Sequence, residues 1–108
     1  MRPKTSNPTP ENSRIYRFGE RVCLANADTV RTAVGELLDT AGVRRLTLDA
    51  ESVCECDSHG IHLFLTIARK AADRGIQLLL YRPSATVRDA LEAVGFLTAF
   101  TVVETLER

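Results

Sequence analysis

The sequence Asp57-Ser58-His59-Gly60 carries the clearest chemical signal in this chain. It stands between a strand-like run, Leu46 to Asp49, and an apolar helical run that begins at Ile61. A serine at a helix start presents its hydroxyl beside unpaired backbone N–H groups, and this end of a helix stabilises an oxyanion such as phosphate. The placement therefore predicts a switch serine at Ser58. The same pair of residues is also the ordinary pattern of a simple helix cap, so both interpretations stay open on these residues alone.

Four carboxylates precede the serine within nine residues. No basic residue occurs between Arg45 and Arg69, so nothing in that stretch neutralises them. The pattern predicts an acidic docking edge around Ser58, and the alternative for at least two of the carboxylates is a solvated loop rim without function. The four residues are Asp49, Glu51, Glu55 and Asp57.

Two cysteines and two histidines in the same region offer ligand types for a metal ion. Their spacing, C-x-C-x2-H-x2-H, lacks the two-to-four-residue gap between the cysteines of a structural zinc site. We therefore expect no metal site, with the cysteines packed as small apolar side chains and the histidines on a helix surface. The chain has three cysteines, an odd number that suits a reducing compartment better than a disulfide scaffold. The four candidate ligands are Cys54, Cys56, His59 and His62.

The region lacks the signs of a catalytic site. Cys56 stands where a G-x-S-x-G nucleophile elbow would have its first glycine. On a helix the side chains of Ser58 and His59 point about 100° apart, which makes His59 a poor base for the serine. His62 lies one turn further on, but no third group is identifiable that would orient it. Phosphate-binding glycine loops are absent as well, so we expect neither an enzyme nor a cofactor.

Length and composition indicate one cytoplasmic domain. The 108 residues include fourteen basic and fourteen acidic side chains, which leaves no net field to attract nucleic acid or anionic lipid. No apolar run approaches 18 residues, and the N-terminus lacks the apolar segment of a secretory signal, so we expect neither a membrane span nor export. Residues 1–13 hold three of the four prolines and are interpreted as a flexible tail before a domain of residues 14–108.

The remaining pattern alternates strands and helices, which predicts an α/β fold. We expect a single domain with a mixed, mostly parallel central sheet of four to five strands and helices packed against it. At its start, Ile15 to Phe18 forms a strand, Gly19-Glu20 turns the chain, and Val22 to Leu24 pairs back as a hairpin. Further predicted strands are Leu46 to Asp49, Ile76 to Tyr81 and Phe100 to Val103, and the last five residues form a helix fragment.

Three helices connect these strands, each with an apolar face and a glycine near its end. The inward residues of the first are Val30, Ala33, Val34, Leu37, Leu38 and Ala41, with Gly42 as the stop. Those of the second are Ile61, Phe64, Leu65, Ile67, Ala68, Ala71 and Ala72, with Gly75 as the stop. The third opens at Pro83-Ser84, turns Val87, Ala90, Leu91 and Val94 inward, and stops at Gly95.

Taken in order along the chain, these motifs resemble the STAS domain family, which includes anti-sigma factor antagonists and the cytoplasmic domains of sulfate transporters. The resemblance runs from about Ile15 to Val103. Its marks are Leu48-Asp49, then Val53, Asp57-Ser58-x-Gly60 before an apolar helix, Gly75 before a strand, Arg82-Pro83-Ser84-Ala85 with Val87-Arg88, and Val94-Gly95-Phe96.

The resemblance implies a bacterial interaction module that acts by partner switching. In the antagonist branch, the serine at the position of Ser58 is phosphorylated by an anti-sigma factor that is also a serine kinase. The unmodified domain binds this factor and frees the sigma factor for transcription, phosphorylation ends the binding, and a phosphatase resets the serine. We expect a partner surface made of Glu55, Asp57, Ser58, His59 and Gly60 on a monomer or weak homodimer.

The chain departs from the family pattern at two places. His59 stands where a second serine is common, and Val22 or Cys23 replaces an acidic residue that commonly lies near the phosphoacceptor, a role that Asp28 would partly fill. These departures leave a second interpretation open: a STAS subunit of a membrane lipid-transport or sensory complex that regulates no sigma factor.

Overall fold

The computed structural model describes residues 12–105, which form one α/β domain with three α-helices. No helix in this part of the chain is long and apolar enough to cross a membrane. The strands are β1 (Ser13–Arg17), β2 (Arg21–Val22), β3 (Arg45–Asp49), β4 (Glu55–Cys56), β5 (Gln77–Tyr81) and β6 (Thr101–Val103). The helices are α1 (Ala27–Asp39), α2 (Ser58–Asp73) and α3 (Ala85–Ala93), with a 3₁₀ turn at Leu97–Ala99.

The central sheet has four parallel strands in the order β1-β3-β5-β6. Strands β2 and β4 form a second, two-stranded parallel sheet in which Val22 lies opposite Cys56. The predicted fold class is confirmed, but the predicted hairpin at the start of the chain is wrong. After Gly19 the chain forms β2, which pairs with β4 instead of folding back on β1. Strand β1 pairs with β3, which follows a helical crossover.

The core lies between the central sheet and the helices. Leu46, Leu48 and Leu80 have no exposed surface, as expected for parallel strands that are covered on both faces. Three phenylalanine rings link the elements across this core, with ring centroids 5.0 Å apart between Phe18 and Phe64 and 6.1 Å apart between Phe64 and Phe100. Burial of this apolar surface supplies most of the stabilising free energy of such a domain.

The sequence pattern misassigned inward residues of all three helices. Ala41, predicted inward, is exposed beyond the end of α1. Leu63 of α2 is buried although it was not placed on the inward face, and Val94, predicted inward, is 45% exposed just after α3. On α2, Leu65 is only half-buried and Ala72 is exposed. The apolar stripe of α2 is therefore wider than the core it packs against, and part of the stripe remains at the surface.

Several element ends differ from the prediction. Strand β1 begins at Ser13, which is buried, inside the segment predicted as a tail, whereas residues 1–11 lie outside the described residues. Helix α1 ends at Asp39, three residues before Gly42, whose φ of +87° suits the following turn. Residues 104 and 105 form a bend, not a helix, and residues 106–108 of the predicted fragment lie outside the described part.

Candidate partner-binding site

The N-cap residue of helix α2 is Asp57, not Ser58. One carboxylate oxygen of Asp57, Oδ1, accepts a hydrogen bond from the Gly60 N–H at 2.9 Å, and the Asp57 carbonyl accepts from the Ile61 N–H at 2.9 Å. Ser58 is the first helical residue. The capping hydrogen bond at this helix start is therefore made by the Asp57 carboxylate and not by the serine hydroxyl.

The start of α2 is held against the end of β2. The second carboxylate oxygen of Asp57, Oδ2, accepts from the Leu24 N–H at 3.1 Å, and the Asp57 N–H donates to the Val22 carbonyl at 3.3 Å. Gly60 is buried at this contact, and a methyl group there would overlap the Val22 carbonyl oxygen and come within 2.9 Å of the Cys56 sulfur. A glycine is required at position 60 because backbone lies where a side chain would start.

The loop after β2 forms the second side of the site. Asn26 ties the loop together, since its Oδ1 accepts from the Cys23 N–H at 2.9 Å and its Nδ2 donates to the Arg21 carbonyl at 2.7 Å. The side chain of Leu24 projects from this loop and is 66% exposed. Sequence reasoning assigned Leu24 to a hairpin strand and missed it as a surface residue beside Asp57; only the contact between β2 and α2 reveals it.

The predicted phosphoacceptor is accessible. Ser58 is exposed, and its hydroxyl makes no hydrogen bond with residues 12–105. His59 is also exposed, with its Nδ1 3.8 Å from Asp57 Oδ2. The structure thus brings together Asp57, Ser58 and His59 at the surface, while Gly60 lies in the interior and supports them.

The four carboxylates before the serine do not form an uncompensated acidic edge, which corrects the prediction. Each of the first three pairs with an arginine from another strand or loop, and Asp57 bonds the two backbone N–H groups described above. Asp49 is buried and accepts from Arg17 at 3.0 Å. Glu55 lies 3.3 Å from Arg21 and Glu51 lies 3.7 Å from Arg82. Asp28, considered as a partial substitute near Ser58, pairs instead with Arg31 of its own helix.

The hydrogen bonds to Asp57 also affect its ionisation. The Gly60 and Leu24 N–H groups stabilise the carboxylate and hold the pKa of Asp57 below its ordinary value, with a smaller contribution from His59. The carboxylate of the residue that precedes Ser58 is therefore charged over the whole physiological range.

The two cysteines that precede Ser58 differ in burial. Cys56 is half-buried beneath α2, and burial, followed by the charge of Asp57, raises the pKa of its thiol to about 11. Cys54 is exposed. Between residues 12 and 105, no group of three or more His, Cys, Asp or Glu side chains is placed to hold a metal ion.

Comparison with known proteins identifies the family and the fold. The STAS domain family profile matches residues 4–108. The anti-sigma factor antagonist SpoIIAA in its unphosphorylated form superposes with a TM-score of 0.72 at 18% identity, covering 86% of this chain and 82% of SpoIIAA. The phosphorylated form of SpoIIAA, a cell fate determinant of Bacillus, gives 0.69 at 17% identity, covering 88% and 86%. The STAS domain of a SulP transporter from Vibrio cholerae gives 0.71 at 20% identity, covering 90% and 77%. Comparison with curated protein sequences finds no match.

The contact between Gly60 and β2 predicts a strong effect of a single methyl group. Gly60→Ala would improve helix propensity by about 1 kcal/mol, but it forces the Val22 backbone away and overpacks the contact at a cost of about 1–3 kcal/mol. We expect a net loss of stability in urea unfolding. Gly19→Ala is the matched control, because a methyl group there meets nothing within 4 Å. Equal midpoints for the two variants would contradict the close approach.

The lowered pKa of Asp57 predicts a pH-dependent contribution to stability. The contribution is present above the unfolded pKa of about 3.9 and is lost as pH falls through the lower folded pKa. Asp57→Asn keeps a cap acceptor and removes the charge, so we expect the stability difference between wild type and Asp57→Asn to shrink from pH 7 to pH 3. Urea unfolding across that range measures it. A difference that does not change with pH would refute the charge-stabilising role of the two N–H groups.

Proposed function

The chain belongs to the STAS domain family, and from the geometry around Ser58 we propose that it is an anti-sigma factor antagonist. In this proposal the unmodified domain binds an anti-sigma factor that is also a serine kinase, and so frees a sigma factor for transcription. The kinase phosphorylates Ser58, which ends the binding, and a phosphatase restores the unmodified serine. The domain itself performs no catalysis and acts as a binding partner in the cytoplasm.

The observation that carries this proposal is the Ser58 hydroxyl, which is exposed and forms no hydrogen bond with residues 12–105. Because Asp57 is bonded to both Gly60 and Leu24, hydrogen bonds hold the backbone at the start of α2, while the Ser58 hydroxyl forms none with the described residues. A kinase requires access to the hydroxyl, and a partner that distinguishes two states requires a constant surface around it. SpoIIAA, which has the same fold, is known in phosphorylated and unphosphorylated forms.

The charges around the serine explain how a phosphate would act. Asp49, Glu51 and Glu55 are paired with arginines, so the unmodified surface carries little net charge. A phosphate adds about −1.5 to −2 charges beside Asp57, whose carboxylate cannot turn away without giving up its two N–H partners. In the free domain the phosphate faces water and is screened. In a docked interface it is desolvated next to a like charge, and binding becomes unfavourable.

The second interpretation, a STAS subunit of a membrane lipid-transport or sensory complex, is supported by the same similarity of fold. A transporter STAS domain superposes as well as SpoIIAA does, so similarity of fold does not choose between the two functions. The exposed Ser58 favours the antagonist. A subunit that is not regulated by phosphorylation has no need of a free hydroxyl at this position.

Phosphorylation of Ser58 by a cognate serine-kinase anti-sigma factor is the direct test. We expect one phosphate per chain with ATP, as measured by intact mass spectrometry, and none in Ser58→Ala. Because Ser58 caps nothing, this variant should keep its unfolding free energy within about 0.5 kcal/mol and bind the anti-sigma factor constitutively.

Ser84→Ala provides the matched control at another helix start. Ser84 is the cap of α3, with its Oγ accepting from the Val87 N–H at 3.2 Å, so its loss should cost about 0.5–2 kcal/mol and leave the labelling intact. Stoichiometric labelling of Ser58→Ala would show that the acceptor is elsewhere. A wild-type chain that is neither bound nor labelled would favour the membrane-complex interpretation.

The electrostatic explanation predicts that phosphorylation changes binding without changing the fold. We expect the affinity for the anti-sigma factor to fall about a thousandfold, which corresponds to about 4 kcal/mol. Backbone amide shifts should be confined to the start of α2 and to the Leu24 loop. Matched NMR spectra of the two forms measure this. Large shifts across β3 and β5, far from Ser58, would indicate a conformational switch instead.

A further inference from the structure

An open groove lies along α2, beyond the site at its N-terminus. The groove has a volume of about 560 Å³ and runs between α2 and the 3₁₀ turn after α3. Residues 62 to 72 of α2 form its length, roughly 15 Å at 1.5 Å per residue. Its walls are lined by His62, Leu65, Thr66, Ala68, Arg69, Ala72, Phe96 and Ala99.

The two sides of the groove differ in chemistry. Leu65, Ala68 and Phe96 provide apolar surface, and Phe96 is 45% exposed. His62, Thr66 and Arg69 provide hydrogen-bond donors, and no Asp or Glu of the described chain lines the groove. The guanidinium of Arg69 forms no ion pair with any residue from 12 to 105. An occupant that satisfies both sides must combine apolar groups with negative charge.

The groove is continuous with the serine surface. Ser58, His62, Leu65, Arg69 and Ala72 are spaced by four, three, four and three residues, which places them within an arc of about 80° on α2. One partner can therefore contact Ser58 and the groove along a single helix face. The small side chains at the far end of the groove allow a partner backbone to approach closely, at the 8–10 Å separation of packed helices.

We propose that this groove receives an acidic amphipathic helix of the partner that binds Ser58. The helix lies along α2, inserts apolar side chains between Leu65 and Phe96, and places a carboxylate on Arg69. Because the groove is open along one side, it leaves much of a small ligand in water, whereas a helix in a groove is itself a common mode of protein recognition. This inference rests on the proposed function and specifies the partner's chemistry.

Binding of the cognate serine-kinase anti-sigma factor tests the groove by titration calorimetry with two pairs of variants. The first pair compares Arg69→Glu with Arg44→Glu, an exposed arginine before β3 that lies outside the groove. The second pair compares Phe96→Ala with Val94→Ala, whose side chain is equally exposed and does not line the groove. We expect the groove variants to weaken binding at least tenfold and the controls to stay within twofold of wild type.

The outcomes separate the groove from the serine switch. If wild type binds and is phosphorylated while Arg69→Glu and Phe96→Ala bind as tightly as their controls, the groove proposal is wrong and the antagonist function stands. If wild type does not bind the kinase, both proposals fall. Sedimentation of the chain alone is measured in parallel. A dimer that dissociates in the Phe96→Ala variant would show that a second copy of the chain occupies the groove, and would overturn the proposed occupant. Saturable binding of decanoate in the groove would overturn it as well.

Discussion

The contact between the start of α2 and the end of β2 is the constraint on which the site depends. Three atoms of Asp57 are engaged there, because its N–H donates to Val22 and its two carboxylate oxygens accept from Gly60 and Leu24. The bond between Asp57 and Leu24 joins residues 33 positions apart in the chain. The absence of a side chain at Gly60 lets the two backbones meet. Ser58 is therefore held in position by its neighbours while its hydroxyl forms no hydrogen bond with residues 12–105, which suits a residue that is modified and restored.

The neutral composition of the chain conceals an ordered arrangement of charges. Arginines from the end of β1, from β2 and from the turn after β5 each meet a carboxylate that lies between the last residue of β3 and the start of α2. These ions are mostly exposed, so each pair contributes little to stability. In the proposed function, their effect is on recognition. A surface whose charges are already matched carries little background potential, so a phosphate would dominate the local field.

The sequence predicted the βα alternation, the three helices and the exposed serine because each depends on a local pattern of side chains. It could not predict the pairing of β2 with β4, because a Gly-Glu turn shows only that the chain bends and leaves the partner open. It failed on the acidic edge for a related reason. The stretch around Glu51 and Glu55 contains no basic residue, and the arginines that neutralise it arrive from other strands. The groove escaped notice because Leu65 and Ala72 share the apolar period of core residues.

The parallel sheet also determines how this chain must fold. Arg17 and Asp49, which lie side by side on β1 and β3, are separated by 32 residues, as are Arg45 and Gln77 on β3 and β5. Since neither sheet contains a hairpin, no strand can pair before the chain has closed a crossover. The entropy of loop closure is paid before any ladder forms, which slows folding compared with helical bundles of similar size. During synthesis β1 leaves the ribosome before its partner strand and stays unpaired until β3 has followed.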